Sequence, residues 1–177
     1  HSNFVPWQHL CLNTGATFKI IGINEYGRLD VSNKSSINLK QVVTSKTKIL
    51  ALTHASNVLG TVNPIKEIVA EAKKINPEIM VVVDGAQAVP HMKVDVKELG
   101  CDFYAFSGHK MLGPTGVGVL WGRKELLEKM EPFMFGGEMI AEGRLEGTTF
   151  ADVPEKFEAR TPAIAEAIGL GASIKYL

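Results

Sequence analysis

Apolar residues along the chain fall into short runs and helical stripes rather than one repeating pattern. Runs at 48–53, 80–83, 103–106 and 117–121 are short, apolar and bounded by turn residues, as expected of strands buried in a sheet. Between them Ile65, Ile68, Val69, Ala72 and Ile75 recur at helical spacing behind Pro64, which predicts a helix over 64–75 with its proline at the start. Shorter helices are predicted at 94–99, stopped by Gly100, and at 123–130. A last helix opens at Thr161 and Pro162, with Ile164, Ala167, Ile168, Gly171 and Ile174 on one stripe. Near the start, Phe4, Trp7, Leu10 and Cys11 mark an amphipathic helix that stops at Gly15, and 16–24 reads as a strand. Residues 30–41 are rich in Ser, Asn and Lys and predict an exposed stretch, with a short helix around 37–42. Gly136, Gly137 and Gly147 mark a loop region of roughly 25 residues, long enough to be functional or held by a partner. Strands alternating with helices imply an α/β fold with right-handed crossovers and a mainly parallel sheet.

Composition narrows the function classes. Lys and Arg number 19 against 19 Asp and Glu, so the net charge of zero offers nothing to a nucleic-acid partner. No apolar run approaches a membrane span, no signal-peptide pattern is present, and two cysteines are too few for a disulfide framework; the expectation is a cytoplasmic protein. The chain starts without Met and stops inside a helical pattern, so we expect 177 residues of a longer protein, truncated at both ends.

Candidate chemistry sits at the ends of the predicted strands, where open α/β sheets place their ligands. Asp84 closes the run at 80–83, and Lys110 follows the next run through Ser107, Gly108 and His109. A carboxylate and an amine delivered to one crevice from neighbouring strands suit pyridoxal phosphate, which needs a Lys for its Schiff base and an acidic partner for its ring nitrogen. Gln87 then donates to the phenolic oxygen, and Asn57, from a third strand end, reaches that oxygen or the substrate. Ser107 and His109 supply donors to the phosphate. The bland readings are an Asx-turn for Asp84 before Gly85, a solvated surface charge for Lys110 and a structural role for His54. The stretch GPTGVG at 113–118 lacks the order of a nucleotide P-loop. Cys101, ahead of a buried strand, and Cys11, on a helix face, lack a neighbouring base and are not expected to be catalytic.

The segments THASNVLG (53–60), VDGAQAVPH (83–91), DFYAFSGHKMLGPTGVGVL (102–120), GGEMI (136–140) and EGTTF (146–150) resemble the class V aminotransferases, and within them the Suf-type cysteine desulfurases. The resemblance runs nearly end to end. It implies fold type I of the pyridoxal-phosphate enzymes, residues 1–177 forming the central part of the large cofactor domain. By position it implies Lys110 as the Schiff-base lysine, Asp84 at the ring nitrogen, Gln87 and Asn57 at the phenolic oxygen, and Ser107 and His109 at the phosphate. Gly147 and Thr148 would reach that phosphate from the second subunit of a homodimer. Arg160 stands where the family has Gly, and His1 matches the second of a His pair whose first member stacks on the cofactor. The stacking His, the persulfide Cys and the carboxylate-binding Arg are expected outside these residues.

The activity so implied is conversion of L-cysteine to alanine, with an enzyme persulfide handed to a sulfur-acceptor protein for iron–sulfur cluster assembly. Alternatives within the fold are a selenocysteine lyase, a transaminase or a kynureninase-like enzyme. A catalytically silent sulfur-transfer scaffold is the alternative of another class.

Overall fold

The structure is a computed structural model, and it describes residues 1–29, 31, 39–159 and 161–177. Four strands, β1 (Ile49–Thr53), β2 (Met80–Asp84), β3 (Phe103–Ser107) and β4 (Gly118–Gly122), form one sheet in that spatial order. Two crossovers build its parallel part. Between β1 and β2 the chain runs through α3 (Ile65–Ile75), and between β2 and β3 through the short α4 (Val96–Leu99). In α3, Ile65, Ile68, Val69 and Ala72 are buried at the spacing the sequence predicts, and each large side chain contributes roughly 2 kcal/mol by leaving water. They pack on Leu50, Leu52, Val81, Val83 and Tyr104 to make the core.

Asp95 caps α4 by accepting from the amides of Lys97 and Glu98, and Gly100 ends it in the left-handed region, as anticipated. β4 pairs antiparallel with β3. The physical reason is the connection: residues 108–117 hold only a 3-10 turn and a loop, too short for the helical crossover a parallel strand requires. The sheet is therefore mainly parallel, with one antiparallel strand.

Several expectations are corrected. Residues 16–24 form no strand; the segment contributes only an isolated bridge between Ile23 and Leu29. The helix α1 (Val5–Thr14) forms and stops at Gly15, but it buries none of its residues, so the expected amphipathic face meets no core here. In α6 (Ile164–Tyr176) the residues toward the protein are Leu170 and Ser173, while Ile164, Ile168 and Ile174 of the predicted stripe are exposed. The loop region marked by Gly136, Gly137 and Gly147 contains a hairpin, β5 (Ile140–Arg144) paired antiparallel with β6 (Gly147–Phe150). The helix at 123–130 shortens to α5 (Lys124–Leu127). The helix expected near 37–42 is seen as α2 (Leu39–Val42); the rest of that stretch and Arg160 lie outside the described residues. No helix among the described residues is long and apolar enough to cross a membrane.

Candidate active site

The register of the parallel strands sets the two faces of the site. Thr53, Asp84 and Ala105 are partners across β1, β2 and β3, so their side chains share one face at the carboxyl edge. Leu52, Val83 and Tyr104 form the row before them on the opposite, core-facing side. Asn3 Nδ2 donates to Thr53 Oγ1 at 3.3 Å, and Asn3 Oδ1 accepts from Trp7 Nε1 at 2.8 Å. The start of α1 is thereby tied to the same edge and face as Asp84. The sequence marks Trp7 only as part of a helix face and does not single out Asn3, because this contact is visible only once β1 and α1 meet.

Asp84 turns the chain out of β2. Its Oδ1 accepts from the amide of Ala86 at 3.0 Å, the Asx-turn that an Asp before Gly favours, while its backbone carbonyl accepts from His54 N at 2.9 Å. Among the described residues its second carboxylate oxygen has no hydrogen bond within the chain. The two readings of Asp84 are compatible: one oxygen makes the turn and the other is uncommitted. Gln87, one turn on, is half-buried and lends its backbone carbonyl to His91 Nδ1 at 2.7 Å.

Lys110 lies in a 3-10 turn, Gly108–Lys110, at the carboxyl end of β3. The turn is pinned from below. Gly108 is buried, its amide donates to Val117 O at 2.9 Å, and a Cβ there would sit 2.9 Å from the Val117 side chain, so glycine is required by close approach. Met111 is buried on the other side of the turn and its amide donates to Gly108 O. With both flanks fixed, His109 and Lys110 are left exposed at the edge, and Ser107 is half-buried beside them. Asn57 is exposed in the loop after β1, where Ser56 Oγ accepts from the amides of Val58 and Leu59. Buried Asn63 braces this loop, donating to Thr53 O at 2.8 Å and accepting from Leu29 N at 3.0 Å.

Six of the predicted residues thus gather at one edge of the sheet: Asn57, Asp84, Gln87, Ser107, His109 and Lys110. Gly147 and Thr148 do not join that set as part of β1–β4; they lie in the exposed hairpin β5–β6. Two further residues stand directly under Asp84. Tyr104, 1% exposed, holds its hydroxyl 2.8 Å from Nδ1 of His54, itself 7% exposed. Burial pushes the Tyr104 phenol well above its usual range and lowers the His54 imidazole, so burial favours the neutral form of each, and the two share one hydrogen bond whose donor depends on the imidazole tautomer. Of the two cysteines, Cys101 is buried, and burial pushes its thiol up to about 11. No cluster of three or more His, Cys, Asp or Glu suited to a metal occurs among the described residues.

The family model described as aminotransferase class-V matches residues 1–177. The chain belongs to this family. Curated members include a probable cysteine desulfurase of Halalkalibacterium halodurans, 54% identical over all of this chain and 42% of that protein. Another, from Streptomyces coelicolor, is 51% identical over all of this chain and 41% of that protein. Among solved structures, the cysteine desulfurase CsdA of Escherichia coli, in its S-sulfonic acid form, superposes with a TM-score of 0.92 at 41% identity, covering 100% of this chain and 43% of that one. The chain therefore spans about two fifths of the length of the relatives it matches, and its fold is the pyridoxal-phosphate fold type I of the class-V aminotransferases.

The residues present fit that cofactor. Asp84 has an uncommitted carboxylate oxygen, the Lys110 amine has no ion-pair partner among the described residues, and the register partner of Asp84 is the small residue Ala105. The hydroxyl, imidazole and amide of Ser107, His109 and Gln87 supply donors on the same edge.

Proposed function

We propose that the full-length protein is a pyridoxal-phosphate-dependent cysteine desulfurase. The observation that carries this reading is the delivery of Asp84 and Lys110 from the carboxyl ends of adjacent parallel strands, one with an open carboxylate oxygen and the other with an exposed amine. Bound there, pyridoxal phosphate supplies an electron sink for the bonds around the substrate α carbon. Lys110 would hold the cofactor, and its amine, freed by substrate, would serve as the general base for the α proton. Asp84 pairs with the protonated ring nitrogen. Gln87 and Asn57 bind the phenolic oxygen, and Ser107 and His109 bind the phosphate. Buried Cys101 is not the thiolate that takes the substrate sulfur.

The same reading makes the protein a cytoplasmic homodimer that passes sulfur to an acceptor protein for iron–sulfur cluster assembly. A two-stranded hairpin is marginal alone, and β5–β6 is exposed on both faces with Phe133 and Phe135 uncovered before it. A second subunit packed there brings Gly147 and Thr148 to the partner's phosphate.

The test is alanine formation from L-cysteine by the purified full-length protein with cofactor and a thiol reductant. Borohydride should fix the cofactor to Lys110, as read by mass spectrometry. Mixed dimers of a Thr148→Ala and a Lys110→Ala subunit should retain one intact site of the two. No alanine from cysteine, with turnover of selenocysteine or transfer of an amino group instead, overturns the desulfurase reading.

A further inference from the structure

We propose that the Tyr104–His54 hydrogen bond is a positioning device for Asp84, fixing the phenol ring as the floor of the turn at residues 84–86 and so setting the height of the free carboxylate oxygen. This rests on the reading of Asp84 as the partner of the cofactor ring nitrogen.

Three observations carry it. A Cβ built on Gly85 would fall 1.9 Å from Tyr104 Cε1 and 2.3 Å from its hydroxyl, so the peptide that follows Asp84 lies directly on the ring. The turn is otherwise held by its own Asx bond, Ala86 N to Asp84 Oδ1 at 3.0 Å, and by backbone bonds: His54 N to Asp84 O, Gly85 N to Ala105 O at 2.8 Å, and Ala88 N and Val89 N to Gly85 O at 2.9 and 3.1 Å. On the side of Gly85 where a Cβ would stand, the three nearest atoms all belong to Tyr104, so the ring sets how close the turn can lie. The ring is held in turn by one polar contact at its far end, the 2.8 Å bond to His54 Nδ1. The two rings also meet edge to face, with centroids 6.0 Å apart.

Binding of two cofactors to the apo form of the full-length protein isolates this role. Pyridoxal phosphate has the ring nitrogen; its 1-deaza analogue has carbon there and cannot pair with Asp84. The affinity ratio between them reads the Asp84 contact alone. In the wild type the natural cofactor should bind more tightly. Tyr104→Phe and His54→Leu should each cut that preference about tenfold, the equivalent of one net hydrogen bond. The double variant should fall no further, since the pair acts as a unit. His54→Asn, whose amide oxygen stands near the place of Nδ1, should restore most of it. Val69→Ala, which loosens the core from α3, should leave the ratio unchanged.

A wild-type protein that binds both cofactors alike overturns the Asp84 reading and this inference with it. An intact wild-type preference that survives Tyr104→Phe and His54→Leu overturns the inference alone. So does equal weakening of both cofactors, which is what a purely structural pair would give. If Tyr104→Phe fails to fold, the contrast between His54→Leu and His54→Asn decides.

Discussion

At the amino ends of β2 and β3, Asp102 is 3% exposed and its carboxylate is spent: Oδ1 accepts from Lys73 and Arg123, each at 3.1 Å, and Oδ2 accepts from Val81 N at 2.8 Å. At the carboxyl ends of the same two strands, Asp84 is half-buried and gives one oxygen to a turn amide while keeping the other. One carboxylate ties α3, β2 and the exit of β4 together. The other is held in place by its surroundings but is not used up by them. The difference is between a carboxylate used up in holding the fold and one left open, and it follows from position. Groups at the amino edge face helix ends and cations already in the chain, whereas the carboxyl edge of a parallel sheet is where loops open toward ligands.

The largest effect expected from testing this contrast is at Lys110, on the same open edge as Asp84. In the full-length protein Lys110→Ala should abolish alanine release while leaving the circular dichroism and melting temperature near wild type. Lys110→Arg should do the same, because a guanidinium stays protonated and cannot form the imine. Measurable steady-state turnover by either would remove Lys110 from the chemistry.

Exchanging the two carboxylates for amides sharpens the comparison. Asp84→Asn should slow turnover on the order of a hundredfold with little change in stability. Asp102→Asn should do the reverse. An amide there weakens both ion pairs and sets an NH2 group against the Val81 amide, and with Lys73 and Arg123 partly in water the loss should be about 2 kcal/mol. Urea denaturation and kcat measured on both variants would show it. A stable but slow Asp102→Asn would blur the distinction between the two edges.

Much of this arrangement was legible before any coordinates, and the gaps have physical causes. β2 and β3 ended where their apolar runs ended, and α3 followed its stripe, because burial against the core enforces period and length together. That argument fails where nothing is buried. Residues 16–24 have strand-like side chains but no neighbouring strand to pair with, and β5–β6 forms from a polar, glycine-marked stretch through backbone pairing that hydrophobicity does not report. The antiparallel direction of β4 was available from the ten residues between β3 and β4, a length signal rather than a pattern signal. At the candidate site, the sequence points to Asp84, Lys110 and their neighbours because strand ends concentrate chemistry. The sequence does not single out Tyr104. Its contacts depend on register, which sets it under Gly85 and beside His54, and register is a property of two strands at once.

The smallest effect concerns Cys101, a thiol at the closed end of β3. Burial lifts it from 9.0 to about 11, so the folded protein holds its proton to higher pH than the unfolded chain. Below about pH 9 both states are protonated and the contribution to stability is complete. As pH rises past 9 the unfolded chain ionises first, and stability falls until the folded thiol also ionises near 11, by at most roughly 2–3 kcal/mol. Cys101→Ser should remove this component, so the stability difference between wild type and variant should narrow between pH 8 and pH 11. At pH 8 only about one thiol in a thousand is ionised, and Cys101 should resist iodoacetamide in the native protein. Rapid alkylation at Cys101 under those conditions would place an accessible thiolate at the closed edge and undo the contrast with Asp84.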